Sequence, residues 1–175
     1  MLLDGFDRLE VFDKCYNKNE IEIISEDRRR EVTNVVYERL SVLDSFLLKQ
    51  FYDGDLVTSK YILTYAIAKT DSLFFEFLYE VYREALLGNK DYISIDDFVN
   101  FFAAKKEIDS IIAKWSECTI NDLSGGYRNI LVESGLGTRI KKNIHAEKVI
   151  IHPAVEEHIA LIGDVEFNKA MLGAK

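Results

Sequence analysis

Between Thr119 and Pro153 the hydrophobic period changes from that of a helix to that of a strand, and this change limits the folds open to the chain. Ile120, Leu123, Tyr127, Ile130 and Leu131 share one helical face, with Thr119 as the expected N-cap. Ser134-Gly135-Leu136 then ends the helix, because glycine enters the left-handed region without a Cβ penalty. A basic, alternating segment follows through Thr138, Arg139, Lys141, Lys142 and Lys148 to Val149-Ile150-Ile151. It predicts a hairpin turning near Asn143 to Glu147. Helix, glycine stop and basic hairpin, in that order, outline a winged helix-turn-helix with a small wing.

The remaining chain reads as helical. Ser25 is placed to cap a long helix carrying Val32, Val35, Val36, Leu40, Leu43, Phe46 and Leu47, ending before Asp53-Gly54-Asp55. Ser59 to Lys69 is an apolar, buried helix. Asp71 or Ser72 caps the next, which presents Phe74, Phe77, Leu78, Val81 and Ala85 and stops at Gly88. Ser94 with Asp97 resembles a capping box and opens a helix with Phe98, Phe101 and Phe102. Ile108, Ile111, Ile112 and Trp115 extend the helical spacing. Pro153 starts a further helix, and a last short one spans about 165–172. The expected fold is mainly α, a compact helical domain with a winged helix-turn-helix near the C-terminus. Its parts are an N-terminal helical region, 1–93, and a winged-helix-like region, 94–175.

Charge is uneven. The net charge is −8, which by itself argues against a polyanionic partner. Within 128–148, however, Arg128, Arg139, Lys141, Lys142 and Lys148 face only Glu133 and Glu147. A local basic patch on an acidic body still binds phosphates, over a reach that screening limits to about 8–10 Å.

No catalytic arrangement emerges. Ser124-Gly125-Gly126 and Gly135-Leu136-Gly137 lack the strand and lysine of a phosphate loop. Cys15 and Cys118 form neither a metal spacing nor a redox pair. His145, His152 and His158 lack a completing ligand, so no metal site and no cofactor are expected. No apolar run reaches the roughly 20 residues of a membrane span, and the N-terminus lacks a signal peptide. The reading is a non-enzymatic cytoplasmic protein with no small-molecule substrate.

As a DNA binder, the chain would place Asn121, Ser124 and Arg128 at base edges, Asn121 suiting adenine and Arg128 guanine. Arg139, Lys141, Lys142 and Lys148 would hold backbone phosphates. Arg28, Arg29 and Arg30 are either a second phosphate-binding patch or an ion-paired helix start among Glu26, Asp27 and Glu31. A protein-interaction module using the acidic part of the chain is the alternative function.

Several stretches together carry a likeness: Arg28-Arg29-Arg30 running into Tyr37-Glu38-Arg39-Leu40, Tyr61 through Lys69, Phe74-Phe75-Glu76-Phe77 with Glu80-Val81, and Trp115-Ser116-Glu117-Cys118-Thr119. Ile130 through Leu136, Gly163-Asp164 and Ala170-Met171-Leu172-Gly173 complete the series. From about residue 25 to 173 the chain resembles the BrxA family of the bacteriophage-exclusion (BREX) defence systems. The resemblance implies an all-helical protein with a winged helix-turn-helix part. It also implies double-stranded DNA binding without catalysis, and action alongside other BREX proteins. Two departures stand out: a short start, and Gly125-Gly126 where a polar, basic stretch of the recognition helix is expected. The second shifts weight from that helix to the wing.

Overall fold

Capping side chains set where most of the helices begin. In this computed structural model, which describes residues 1–173, the chain forms two compact units, Met1–Thr70 and the segment from Asp71 onward.

In the first unit, α1 (Arg8–Phe12) runs into a π turn over Asp13–Asn17. Helices α2 (Glu26–Ser41), α3 (Ser45–Asp53) and α4 (Leu56–Thr70) follow. Ser25 caps α2 as expected, its hydroxyl accepting the Arg28 N–H. The single helix expected from Ser25 through Leu47 is instead two. The Asp44 carboxylate accepts the Leu47 N–H at 2.9 Å, and this second N-cap competes with continuation of the helix. Leu43 and Leu47 are both buried beside the break. Asp55 starts α4 by accepting the Val57 and Thr58 amides at 2.9 and 3.0 Å. Tyr61, Ile62, Tyr65, Ala66 and Ala68 make α4 a core helix.

The second unit opens with α5 (Ser72–Phe77), which passes through a π turn at Leu78–Tyr82 into α6 (Arg83–Leu86). Next come α7 (Ile95–Ile108) and α8 (Glu117–Ser134). A hairpin of β1 (Gly137–Ile140) and β2 (Asn143–Ala146) precedes α9 (Pro153–Leu161) and α10 (Val165–Leu172). The capping box is present at α7: the Ser94 amide and hydroxyl both donate to Asp97 Oδ2, at 2.6 and 2.7 Å. Aromatic rings fill the core, with Phe77 stacked on Phe98 at 4.7 Å and Phe74 against Tyr127 at 4.9 Å. Lys105, itself buried, donates to Glu76 at 2.7 Å and Glu80 at 2.6 Å, tying α7 to the helix before it.

Three local expectations are corrected. Helical spacing does not carry on from Ile108 to Trp115. Asp109 accepts the Ile111 and Ile112 amides at 2.7 and 3.1 Å, which turns the chain and leaves Ile108 and Ile111 exposed while Ile112 is buried. Helix α8 is capped by Ser116, whose hydroxyl accepts the Thr119 N–H at 3.1 Å, so it begins earlier than a Thr119 cap implies. The hairpin turns at Lys141-Lys142, ahead of the expected Asn143 to Glu147.

Ile144 locks the hairpin in place. It is fully buried. Its N–H donates to the Ile93 carbonyl at 2.9 Å and its carbonyl accepts the Ile93 N–H at 2.8 Å, adding a bridge on the far side of β2 from β1. On β1, a Cβ at Gly137 would lie 2.5 Å from Ile144 Cγ2 and 3.3 Å from the His145 carbonyl. Overpacking of this kind typically costs about 1–3 kcal/mol. Gly137→Ala is therefore expected to lower the unfolding free energy by that amount, seen as a lower denaturant midpoint at unchanged slope; a wild-type midpoint would show that the hairpin sits looser on Ile144.

Candidate nucleic-acid interface

The basic residues singled out in the sequence do not play one role. Helix α8 ends at Gly135, whose left-handed conformation (φ 82°) reverses the chain into β1. That reversal brings the hairpin back along α8 and sets Arg128 beside the turn. Arg128 Nη2 donates to the Lys142 carbonyl at 2.7 Å. Arg139, on β1, donates to Asn129 Oδ1 at 2.9 Å. Two polar ties thus brace the hairpin on α8. The guanidiniums are near enough that Arg128 is held below its ordinary pKa, first by burial and then by the Arg139 charge.

Lys141 and Lys142 occupy the two-residue turn and are exposed. Among the described residues neither has an acidic partner. Lys141 has φ 56°, a left-handed conformation unusual for a lysine. Lys148, also exposed, lies beyond β2. Arg128, Arg139, Lys141 and Lys142 therefore gather where the hairpin meets the C-terminal half of α8.

Farther along α8, Asn121 is exposed, and the half-buried Ser124 hydroxyl donates back to the Ile120 carbonyl at 2.7 Å. Apart from their chain neighbours and the backbone of their own helix, no described atom lies within 4 Å of a Cβ added at Gly125 or Gly126, and neither has a positive φ, so no packed neighbour presses on them. Tyr127 anchors the inward face: its hydroxyl points at the Asp71 carboxylate at 3.3 Å. Burial, followed by the Asp71 charge, pushes the phenol above its ordinary pKa and keeps it a donor.

Arg28, Arg29 and Arg30 lie in the first unit, at the start of α2. Arg28 pairs with Glu31 at 2.8 Å. Arg29 donates to the Ile23 carbonyl at 3.1 Å, and Arg30 to the Tyr16 hydroxyl at 2.9 Å. All three have partners within their own unit. Among the described residues, no three His, Cys, Asp or Glu side chains are placed to hold a metal, and no helix is long and apolar enough to cross a membrane.

Sequence reasoning missed Asn129, which orients Arg139, and Ile140, which is 49% exposed beside the turn. Asn129 carries no local signal, since its partner is ten residues away. Ile140 was hidden among strand-forming residues.

A sequence model of the BrxA family matches residues 1–163. A BREX protein BrxA from Bacillus cereus (strain H3081.97) is 34% identical over 173 residues, covering 99% of this chain and 86% of that protein. The fold is also similar to the crystal structure of an uncharacterized protein from Magnetospirillum magneticum, with TM-score 0.85 and 19% identity over 99% of this chain and 88% of that one.

The brace makes its own prediction. Arg128→Met keeps the aliphatic stem but removes the tie to the Lys142 carbonyl. Loss of one charge-assisted hydrogen bond should speed amide exchange across residues 140–143 about tenfold, with overall stability little changed. Unchanged exchange at the turn would remove Arg128 from this role.

Proposed function

Since the chain belongs to the BrxA family, we propose that it is a duplex-DNA-binding component of a BREX phage-defence system, working in the cytoplasm alongside other BREX proteins and catalysing no reaction itself. The order of elements in the second unit supports a winged helix-turn-helix: a helix, a bridging strand residue at Ile93, α7, α8, then the hairpin. One observation carries the reading. On a chain of net charge −8, the exposed end of α8 and its hairpin collects Arg128, Arg139, Lys141 and Lys142. Neutralised phosphates release counterions, so such a cluster binds a polyanion in a salt-dependent way.

Roles divide by geometry. Lys141, Lys142 and Lys148 contact phosphates directly. Arg139 retains donors for a phosphate while it is held by Asn129. Asn121 is open to base edges, whereas Ser124 and Arg128 already have partners in the fold and contribute less to base reading. Arg28, Arg29 and Arg30 stand better as an ion-paired, π-stacked helix start, since Arg29 and Arg30 also lie over the Tyr16 ring at 5.4 and 5.3 Å.

The test is duplex affinity against salt concentration. Wild-type affinity should fall steeply, and Lys141→Ala with Lys142→Ala should flatten the log–log slope by about 0.9 per lysine. A flat wild-type response, or a double variant indistinguishable from it, would refute the assignment and favour the protein-interaction alternative.

A further inference from the structure

The tip of the hairpin combines three features that phosphate binding alone does not require. First, Ile140 is 49% exposed immediately before the turn. Its cross-strand partner is Asn143, whereas the buried Ile144 lies opposite Arg139. Alternation along a strand therefore puts Ile140 on the face of the hairpin turned away from the core. Second, Lys141 and Lys142 follow it in the turn, and Lys141 sits at φ 56°. A glycine or asparagine would adopt that conformation with less strain, so the chain tolerates a local cost to keep a cation at the tip. Third, the helix beside it is poor in reading groups. Gly125 and Gly126 present no side chain, Ser124 bonds its own helix, and Arg128 is occupied in holding the Lys142 carbonyl.

We infer that the Ile140-Lys141-Lys142 tip enters the minor groove of duplex DNA, with Ile140 as an apolar wedge against a base step and the two lysines on the bordering phosphates. This inference rests on the duplex-binding reading above and names the groove and the element that reads it. The minor groove is about 6 Å wide, too narrow for a helix but open to a two-residue tip. Apolar side chains inserted there partly unstack a base step and kink the duplex toward the major groove. Flexible pyrimidine–purine steps cost least to deform, so preference would follow deformability and A·T content more than a base-by-base code. In this arrangement Arg128 is a positioning residue: it fixes the turn from which Ile140 and the lysines project.

Three measurements on the full chain test the inference. Ile140→Ala should weaken duplex binding about five- to tenfold and leave the salt slope unchanged, since no phosphate contact is lost. Ile140→Leu should restore most of the affinity. Netropsin, which fills the minor groove of A·T tracts, should displace the protein, while methyl green in the major groove should not. End-to-end energy transfer on a labelled duplex should report a bend of about 20–90° that Ile140→Ala reduces. Lys141→Gly supplies the control for folding: it should raise the denaturant midpoint slightly by relieving φ strain while weakening binding. Tight, salt-dependent binding that ignores Ile140→Ala and netropsin would overturn the wedge and leave the phosphate-binding reading intact. Displacement by methyl green alone would transfer the reading role to α8. Absence of duplex binding by the wild type would overturn both.

Discussion

The packing of Ile144 holds the hairpin on which the exposed display of the second unit depends. Its backbone is hydrogen-bonded in both directions to Ile93, its strand pairs with β1 on the other side, and its side chain meets Gly137 with no room for a Cβ. A two-stranded hairpin in water is marginal by itself. Here burial of one isoleucine and the extra bridge convert it into a fixed projection from α8. The register that buries Ile144 also determines which way Ile140 points, because neighbours along a strand face opposite sides. Core packing and surface display are thus set by the same contact.

Charge on that frame, formed by the C-terminal half of α8 and the hairpin, divides between two tasks. The two arginines point back and hold structure, one on a backbone carbonyl and one on an amide side chain. Guanidinium geometry suits this use, since a planar fork can satisfy a fixed acceptor and still offer other donors. The two lysines project from the turn, where flexible ammonium groups can follow phosphates of varied position. On a chain with net charge −8, screening limits the reach of these cations to roughly 8 Å at physiological salt.

Much of this was legible in the sequence wherever the controlling interaction is local. Ser25, the Ser94–Asp97 pair and Gly135 act within three or four residues, and each behaves as its type and position imply. The hairpin itself followed from the loss of helical period after Gly135. Asp44 and Asp109 were harder. Each sits in a run of helically spaced apolar residues, and whether its carboxylate lies on a solvated face or recaptures backbone amides depends on where Leu47 and Ile112 are buried, which is a tertiary matter. The turn falls earlier than the sequence pattern implies because Lys141-Lys142 lacks the glycine or asparagine that ordinarily marks a hairpin. Charge marks the basic residues in the sequence, but not their division into braces and projecting cations: Arg128 bonds a carbonyl 14 residues away, and backbone acceptors leave no trace in composition.

The glycine pair on α8 sharpens the same point. Two glycines within a helix cost roughly 1 kcal/mol each relative to alanine, and such a cost usually reflects a kink or a close neighbour. Helix α8 runs unbroken through both, with space around each. The fold therefore does not need them, and an alanine at either position would strengthen the helix. Lys141 repeats the pattern in the hairpin turn, accepting a left-handed backbone that a glycine would adopt more readily. Gly125 and Gly126 lack side chains where stability favours them, and Lys141 keeps one where stability disfavours it. Both departures lower stability and lie on the surface formed by α8 and its hairpin. Together they describe a surface with a bare helix and a charged, apolar-edged tip, the form that the proposed duplex binding through the hairpin requires.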